Sequence, residues 1–307
     1  MVIFLKKEVL FVKFPIIFPL VYLFCLYLFP QYETQLILIT ILLLAETHFG
    51  ATWPFFINSV NKNFIFKKKI SLIYIPIFIT ILCFLGFFYF KNLFLLIFFA
   101  CNVFHVCRQS FGIMNLYTVN LLEKKNYSYL IYFFNLVFFV VAFFRFYIPL
   151  IDNNNLFFLN LIVVIVIAMS ILVQLIKFGF SEHFLTLITG IMIFYPVCFV
   201  QNPVHAIIMG VTMHYSQYLF LTNKVIFKRT LVGLSNRNTT TRFWLTVFIY
   251  SVIMTFFSVF TRHESDILKN LIVIPIVGQM LHFYLDSQLW KFSEKHNREN
   301  ILKYIKI

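Results

Sequence analysis

Residues 156–176 read LFFLNLIVVIVIAMSILVQLI, without a charged side chain among them. At 1.5 Å per residue a helix of this length is about 30 Å long, the thickness of a bilayer's hydrocarbon core. The run lacks the period-2 alternation of a barrel strand and is too long for one. Lipid offers no partner to backbone N–H and C=O groups, so a spanning segment that is not a barrel strand must be a helix. Asn153, Asn154 and Asn155 precede the run and Lys177 follows it.

Nine further segments read the same way: 14–29, 35–57, 70–90, 93–117, 127–150, 184–200, 204–221, 243–260 and 267–289. Across the 307 residues 61% are hydrophobic and only 12% charged. Soluble domains carry about 25% charge, so the ordinary globular classes are excluded. With 8 Gly, 9 Pro and 5 Cys, collagen-like, disordered and disulfide-framework classes are excluded too. The net charge of +14 would suit nucleic acid, but in a membrane protein basic residues gather in cytoplasmic loops. No nucleic-acid partner is expected.

The loops test the span count. With the N-terminus inside, the inner side collects 20 of the 25 basic residues, from Lys6, Lys7 and Lys13 to Lys303 and Lys306. The outer side holds Lys91, Arg145, Arg262 and Lys269, and Arg108 lies within a span. Trp53, Trp244 and Trp290 fall near cytoplasmic span ends, where an aromatic belt belongs. The expectation is an all-α, polytopic membrane helical bundle. It has about ten transmembrane helices, both termini cytoplasmic, and residues 1–307 form a single domain in a bacterial inner membrane. The first span reads as an uncleaved anchor. The basic stretch 222–242 reads as a solvated cytoplasmic loop, with contact to lipid headgroups as the weaker alternative.

Polar groups inside a bilayer are costly and mark function, and here the even-numbered spans hold most of them. Glu46, Thr47 and His48 lie in the second; Asn102, His105, Arg108 and Gln109 in the fourth; His214, Ser216 and Gln217 in the eighth; Gln279, His282 and Asp286 in the tenth. All four spans run from outside to inside. Counted from their outer ends, His48, His105, His214 and His282 come about 10 to 15 residues in, roughly 15–22 Å deep. Four histidines then share one layer. Histidine is the commonest metal ligand, and bundle cores hold metals between facing helices. The competing reading of each histidine is a hydrogen bond between helices.

Residues three or four apart share a helix face. His105 is thus accompanied by Arg108 and Gln109, His214 by Gln217 and Tyr218, and His282 by Asp286. Metal-bound imidazoles need such partners to fix their tautomer. Asp286 is expected to be a partner or a direct ligand. Glu46, two residues before His48, is expected on another face. Arg108 needs an acidic partner, with Glu46 and Asp286 the carboxylates at comparable depth. These readings make His48, His105, His214 and His282 the candidate metal ligands, and Glu46, Arg108, Gln109, Gln217 and Asp286 the candidate catalytic groups. His205 reads as interfacial; His183, His263 and His296 read as solvated.

The strings His48-Phe49-Gly50 and His282-Phe283-Tyr284-Leu285-Asp286 resemble motifs of Brp/Blh-type membrane carotene dioxygenases. In those polytopic enzymes histidines buried in several spans bind iron. Trp53 stands where that family has an acidic residue, and Tyr218 where it has a second histidine. The resemblance implies an Fe2+-dependent oxygenase acting on a polyene or other isoprenoid, with the four histidines as ligand candidates. Two other classes stay open: a haem-binding electron carrier and a transporter with a polar intramembrane site. The chain has no Walker A string, dinucleotide fingerprint, zincin helix or serine elbow, nor the clustered histidine boxes of membrane desaturases.

Overall fold

The computed structural model describes residues 7–117, 121–231, 239–259 and 266–306. The readings of Lys6, Arg237, Arg262 and His263, and of 232–238 in the basic stretch, fall outside these. Every regular element among the described residues is helical. In chain order the main helices are α1 (Ile17–Leu28), α2 (Pro30–Phe56), α3 (Ile70–Tyr89), α4 (Lys91–Tyr117), α5 (Lys125–Tyr147), α6 (Asn154–Lys177), α7 (Glu182–Met192), α8 (Pro203–Leu231), α9 (Thr239–Val259) and α10 (Val273–Leu289). Six of them, α2 to α6 and α9, are long and apolar enough to cross a membrane. Their apolar side chains stay exposed: Phe157 and Ile176 of α6 and Phe248 and Ile249 of α9 face outward, as lipid-facing residues do.

Two of the remaining expected spans take other forms. The run 184–200 is not one helix. It is α7, then a tight turn at Tyr195–Cys198, because Pro196 lacks the N–H that a helix needs there. The last expected span begins with the short turns Asp266–Lys269 and Asn270–Ile272 and becomes regular only at α10. Nor is 222–242 a solvated loop at its start. Helix α8 continues to Leu231, and Arg229 is buried, with its guanidinium bonded to the Asn300 carbonyl.

The chain forms two compact units. The first comprises Met1–Ile37 and Val103–Gln217. In it Asn135 of α5 donates to the Gly190 carbonyl of α7 at 2.9 Å, a bond between helices that lipid cannot compete for. Arg145 donates to the carbonyls of Val197 and Val200 in the turn after α7, so it serves there as a cap. The segment Val9–Lys13 is held by Ser216 to the Phe11 carbonyl, Gln217 to the Val12 carbonyl and Thr189 to the Lys13 carbonyl. Lys13 also pairs with Glu182.

Gly210 is the tightest point in this unit. A Cβ there would fall 2.2 Å from the Ile193 carbonyl oxygen, a backbone atom. Gly210→Ala must therefore push α8 away from the chain after α7. The expected cost is about 1–3 kcal/mol, read as a lower midpoint of thermal unfolding in detergent.

The second unit comprises Leu38–Asn102 and Tyr218–Ile307. Helix α9 packs along the second half of α2, where Ser251 donates to the Leu42 carbonyl. Cys83, Phe87 and Phe94 pack with Val273, Ile276 and Val277 of α10 as an apolar cluster. The C-terminal segment closes on this unit. Asn297 donates to the carbonyls of Gln288 and Lys291, and Glu294 pairs with Lys68. The Lys68 bond holds the Glu294 carboxyl below the usual carboxylate range. That contribution is present at neutral pH and is lost as acidification protonates Glu294.

Candidate metal centre

His48, His105, His214 and His282 are buried, and one ligand nitrogen of each lies within 4.8 Å of the corresponding nitrogen of the other three. A buried four-histidine group of this size could hold a metal ion. His105 on α4 and His214 on α8 meet with ring centroids 5.0 Å apart. His48 on α2 and His282 on α10 meet at 4.3 Å. Gln109, one turn beyond His105, donates to the backbone carbonyl of His214 at 3.1 Å, so this candidate braces the site.

His282 has the most completely defined support. Its Nδ1 lies 2.6 Å from Thr52 Oγ1, and Thr52 Oγ1 lies 2.8 Å from the Tyr218 hydroxyl. That hydroxyl sits beside the Asp286 carboxyl, whose Oδ1 accepts from Trp290 Nε1 at 2.5 Å. Asp286 is therefore joined to His282 through two hydroxyls on other helices rather than directly along its own helix. The Tyr218 ring packs edge-on to both His48 and His282, at 4.7 and 5.3 Å.

The other candidates separate. Arg108 is exposed, and its guanidinium lies over the Phe104 ring one turn back, at 5.9 Å. The expected pairing with Glu46 or Asp286 is replaced by a cation–π contact, because its side chain points off the buried face of α4. Gln217 holds the Val12 carbonyl at 2.7 Å; its Nε2 is committed to the N-terminal segment. Glu46 is buried on α2, and Gln279 reaches its Oε1 at 3.4 Å.

Three further histidines have defined partners. His205 is buried near the start of α8, with Nδ1 2.6 Å from the Tyr22 hydroxyl and Nε2 2.9 Å from Glu33. His296 is held to Asn61 Oδ1 at 2.8 Å and stacks on Phe64. His183 packs against the Tyr127 ring at 4.9 Å.

Thr52 and Trp290 were not singled out as partners of the histidines. Thr52 carried a signal all the same: it stands four residues after His48, a polar group on that histidine's face. Trp290 carried none, since four residues from Asp286 it reads as an ordinary belt residue.

Compared with protein-family models, with curated proteins and with solved structures, the chain matches none.

Proposed function

We propose that this protein is an integral membrane metalloenzyme, a non-haem iron oxygenase acting on a hydrophobic lipid or isoprenoid substrate. The observation that carries the reading is the convergence of four buried histidines. Imidazole donors suit iron, copper, zinc and nickel; the likeness of His48-Phe49-Gly50 and of His282 with Asp286 to the carotene dioxygenase strings favours iron. A single ion is favoured over haem by the ligand count. Haem supplies iron's four equatorial donors itself and leaves two axial positions. Two of the four histidines would fill those positions and leave the other two without a role.

Charge supports the same reading. Four neutral imidazoles bring no negative charge to a divalent ion. Asp286 is buried and joined to His282 through Tyr218 and Thr52, and its carboxylate would offset the ion's charge in a medium where bare charge is costly.

The support chain fixes a tautomer. With Asp286 ionised, Tyr218 O–H and Trp290 N–H both donate to it. Thr52 then donates to Tyr218, and His282 Nδ1–H donates to Thr52. That polarity assigns His282 Nε2 to the ion and holds the ring in place. When bound, iron would supply dioxygen activation. The chain's own part is to orient the ligand nitrogens, exclude water with the apolar helices, and present lipid-facing helices through which a hydrophobic substrate arrives.

In this reading α1, α8 and α10 cross the membrane with the six apolar helices, and the segment starting at α7 completes ten crossings with both termini cytoplasmic. The membrane is a bacterial inner membrane. Helix α8 is long enough, and its polar residues Thr212, His214 and Gln217 are turned inward. Reporter fusions after Lys125 and Lys228 should read cytoplasmic, and those near Asn154 and Gln201 external. An external signal at Lys228 would break this topology.

The function is tested by metal analysis of the purified protein together with its visible spectrum. About one iron per chain without sharp haem bands is expected. Sharp visible bands would select the electron-carrier alternative, and protein free of any metal would remove the enzyme reading.

A further inference from the structure

The C-terminal segment runs through three helical turns, Lys295–Asn297, Arg298–Leu302 and Lys303–Lys306. His296 joins it to the rest of the second unit. Its Nε2 lies 2.8 Å from Asn61 Oδ1 and its Nδ1 lies 3.3 Å from Asn300 Nδ2. Its ring stacks on Phe64 at 4.3 Å. Neighbouring carbonyls lock both amides in orientation. Asn61 Nδ2 donates to the carbonyls of Phe55 and Phe56, at 3.1 and 3.0 Å. Asn300 Nδ2 donates to the His296 carbonyl at 2.9 Å. Turning either amide over would set its oxygen against a carbonyl oxygen. Asn61 therefore offers His296 an acceptor, and Asn300 offers it a donor. The neutral imidazole with its proton on Nε2 satisfies both.

A second proton would sit on Nδ1 and point at the Asn300 N–H, donor against donor. The surrounding charges disfavour it as well. Arg229 of α8 is a buried cation nearby, and Lys68 Nζ lies 5.5 Å from the Phe64 ring on which His296 stacks. The carboxylates of the segment are engaged elsewhere, Glu294 with Lys68 and Glu299 with Lys295. Burial and the Arg229 charge hold the His296 imidazole below its ordinary range, against the pull of Glu299.

Asn300 links this histidine to the anchor of the segment. Its backbone carbonyl accepts from both Nε and Nη2 of Arg229. Among the described residues no carboxylate pairs with that guanidinium, which otherwise lies over the rings of Phe55 and Tyr304 at 5.3 and 6.0 Å. Displacing Asn300 thus withdraws the acceptor of a buried cation. Ile301, Tyr304 and Ile305 are buried beyond it, and Lys224 donates to the Ile305 carbonyl at 2.8 Å.

We propose that His296 is a proton-operated latch: its neutral form docks the C-terminal segment on the second unit, and its protonation releases the segment. The latch stands on its own residues and does not require the metal reading. The sign follows from linkage. A free histidine titrates near pH 6.5, so the released segment takes up a proton that the docked one disfavours. Docking is at full strength above about pH 6.5 and weakens as the pH falls below it. For a docked form that takes no proton, the step from about pH 7.5 to about pH 5.5 weakens docking about tenfold. Lys68 holds the Glu294 carboxyl below the usual carboxylate range, so that pair persists across this window.

Hydrogen–deuterium exchange of the full chain in detergent reads the docking directly, on peptides covering 296–306 and corrected for the intrinsic pH dependence of exchange. Protection there should fall about tenfold between pH 7.5 and pH 5.5. In His296→Gln, whose amide keeps a donor for Asn61 without titrating, protection should stay level. Unchanged protection in the native chain, or an equal fall in His296→Gln, would overturn the proposal. Should His296→Gln lack protection already at pH 7.5, nitrogen NMR of histidine-labelled native protein decides. The ring signal missing from the variant should show the Nε2–H tautomer at pH 7.5 and titrate below about 6.5. An Nδ1–H tautomer, or a midpoint at or above that value, would overturn it equally.

Discussion

His214→Ala is expected to abolish metal binding while the protein still inserts into the membrane. Loss of one imidazole from four would leave a gap in the proposed coordination shell; the Gln109 Nε2 is committed to the His214 carbonyl, and Tyr215 is the next ring along the same helix. The replacement removes a polar group from a buried helix face and so does not oppose insertion. His105→Ala, on the facing helix, should behave identically, because the two rings meet at 5.0 Å. The check is metal stoichiometry in purified variants beside their helical circular dichroism. Folded variants that keep full metal content would make these histidines helix–helix contacts and nothing more.

Asp286→Asn is expected to lower metal affinity or activity about 10–100-fold, the usual cost of losing an outer partner of a ligating histidine. The amide keeps the shape and can still accept from Trp290, but it lacks the charge that sets the polarity of the chain through Tyr218 and Thr52 to His282. Thr52→Val breaks the chain one step from the imidazole and keeps the volume, so it should reproduce the affinity loss. Tyr218→Phe should do the same. The readout that separates positioning from packing is affinity against stability. A merely structural Thr52 would lower the unfolding midpoint and leave metal affinity unchanged. Arg108→Gln provides the contrast. An exposed cation over an aromatic ring is worth about 0.5–1 kcal/mol, so neither metal content nor stability should move far.

The helical class was legible because apolar length is a direct consequence of bilayer thickness. The histidine group was legible for a related reason: depth can be counted along a helix of known rise, and that count singled out the four histidines that lie together. Which residues face each other was not legible. Arg108 sits one turn from His105, yet its side chain points out and theirs points in. Asp286 shares a face with His282 but reaches it through residues of α2 and α8, a link that spacing along one helix cannot show. Proline at 196 was visible as a helix breaker but was absorbed into an apolar run that looked long enough to span. The burial of Arg229 depends on the C-terminal carbonyl of Asn300, which no local pattern announces.

X-ray absorption at the metal edge of the purified protein tests the central claim most directly. The account predicts an iron edge with a first shell of nitrogen donors, histidine in character, at about 2.0–2.3 Å, lost in His214→Ala. An edge from haem iron, a sulfur shell, or an unchanged spectrum in the His214→Ala protein would contradict it.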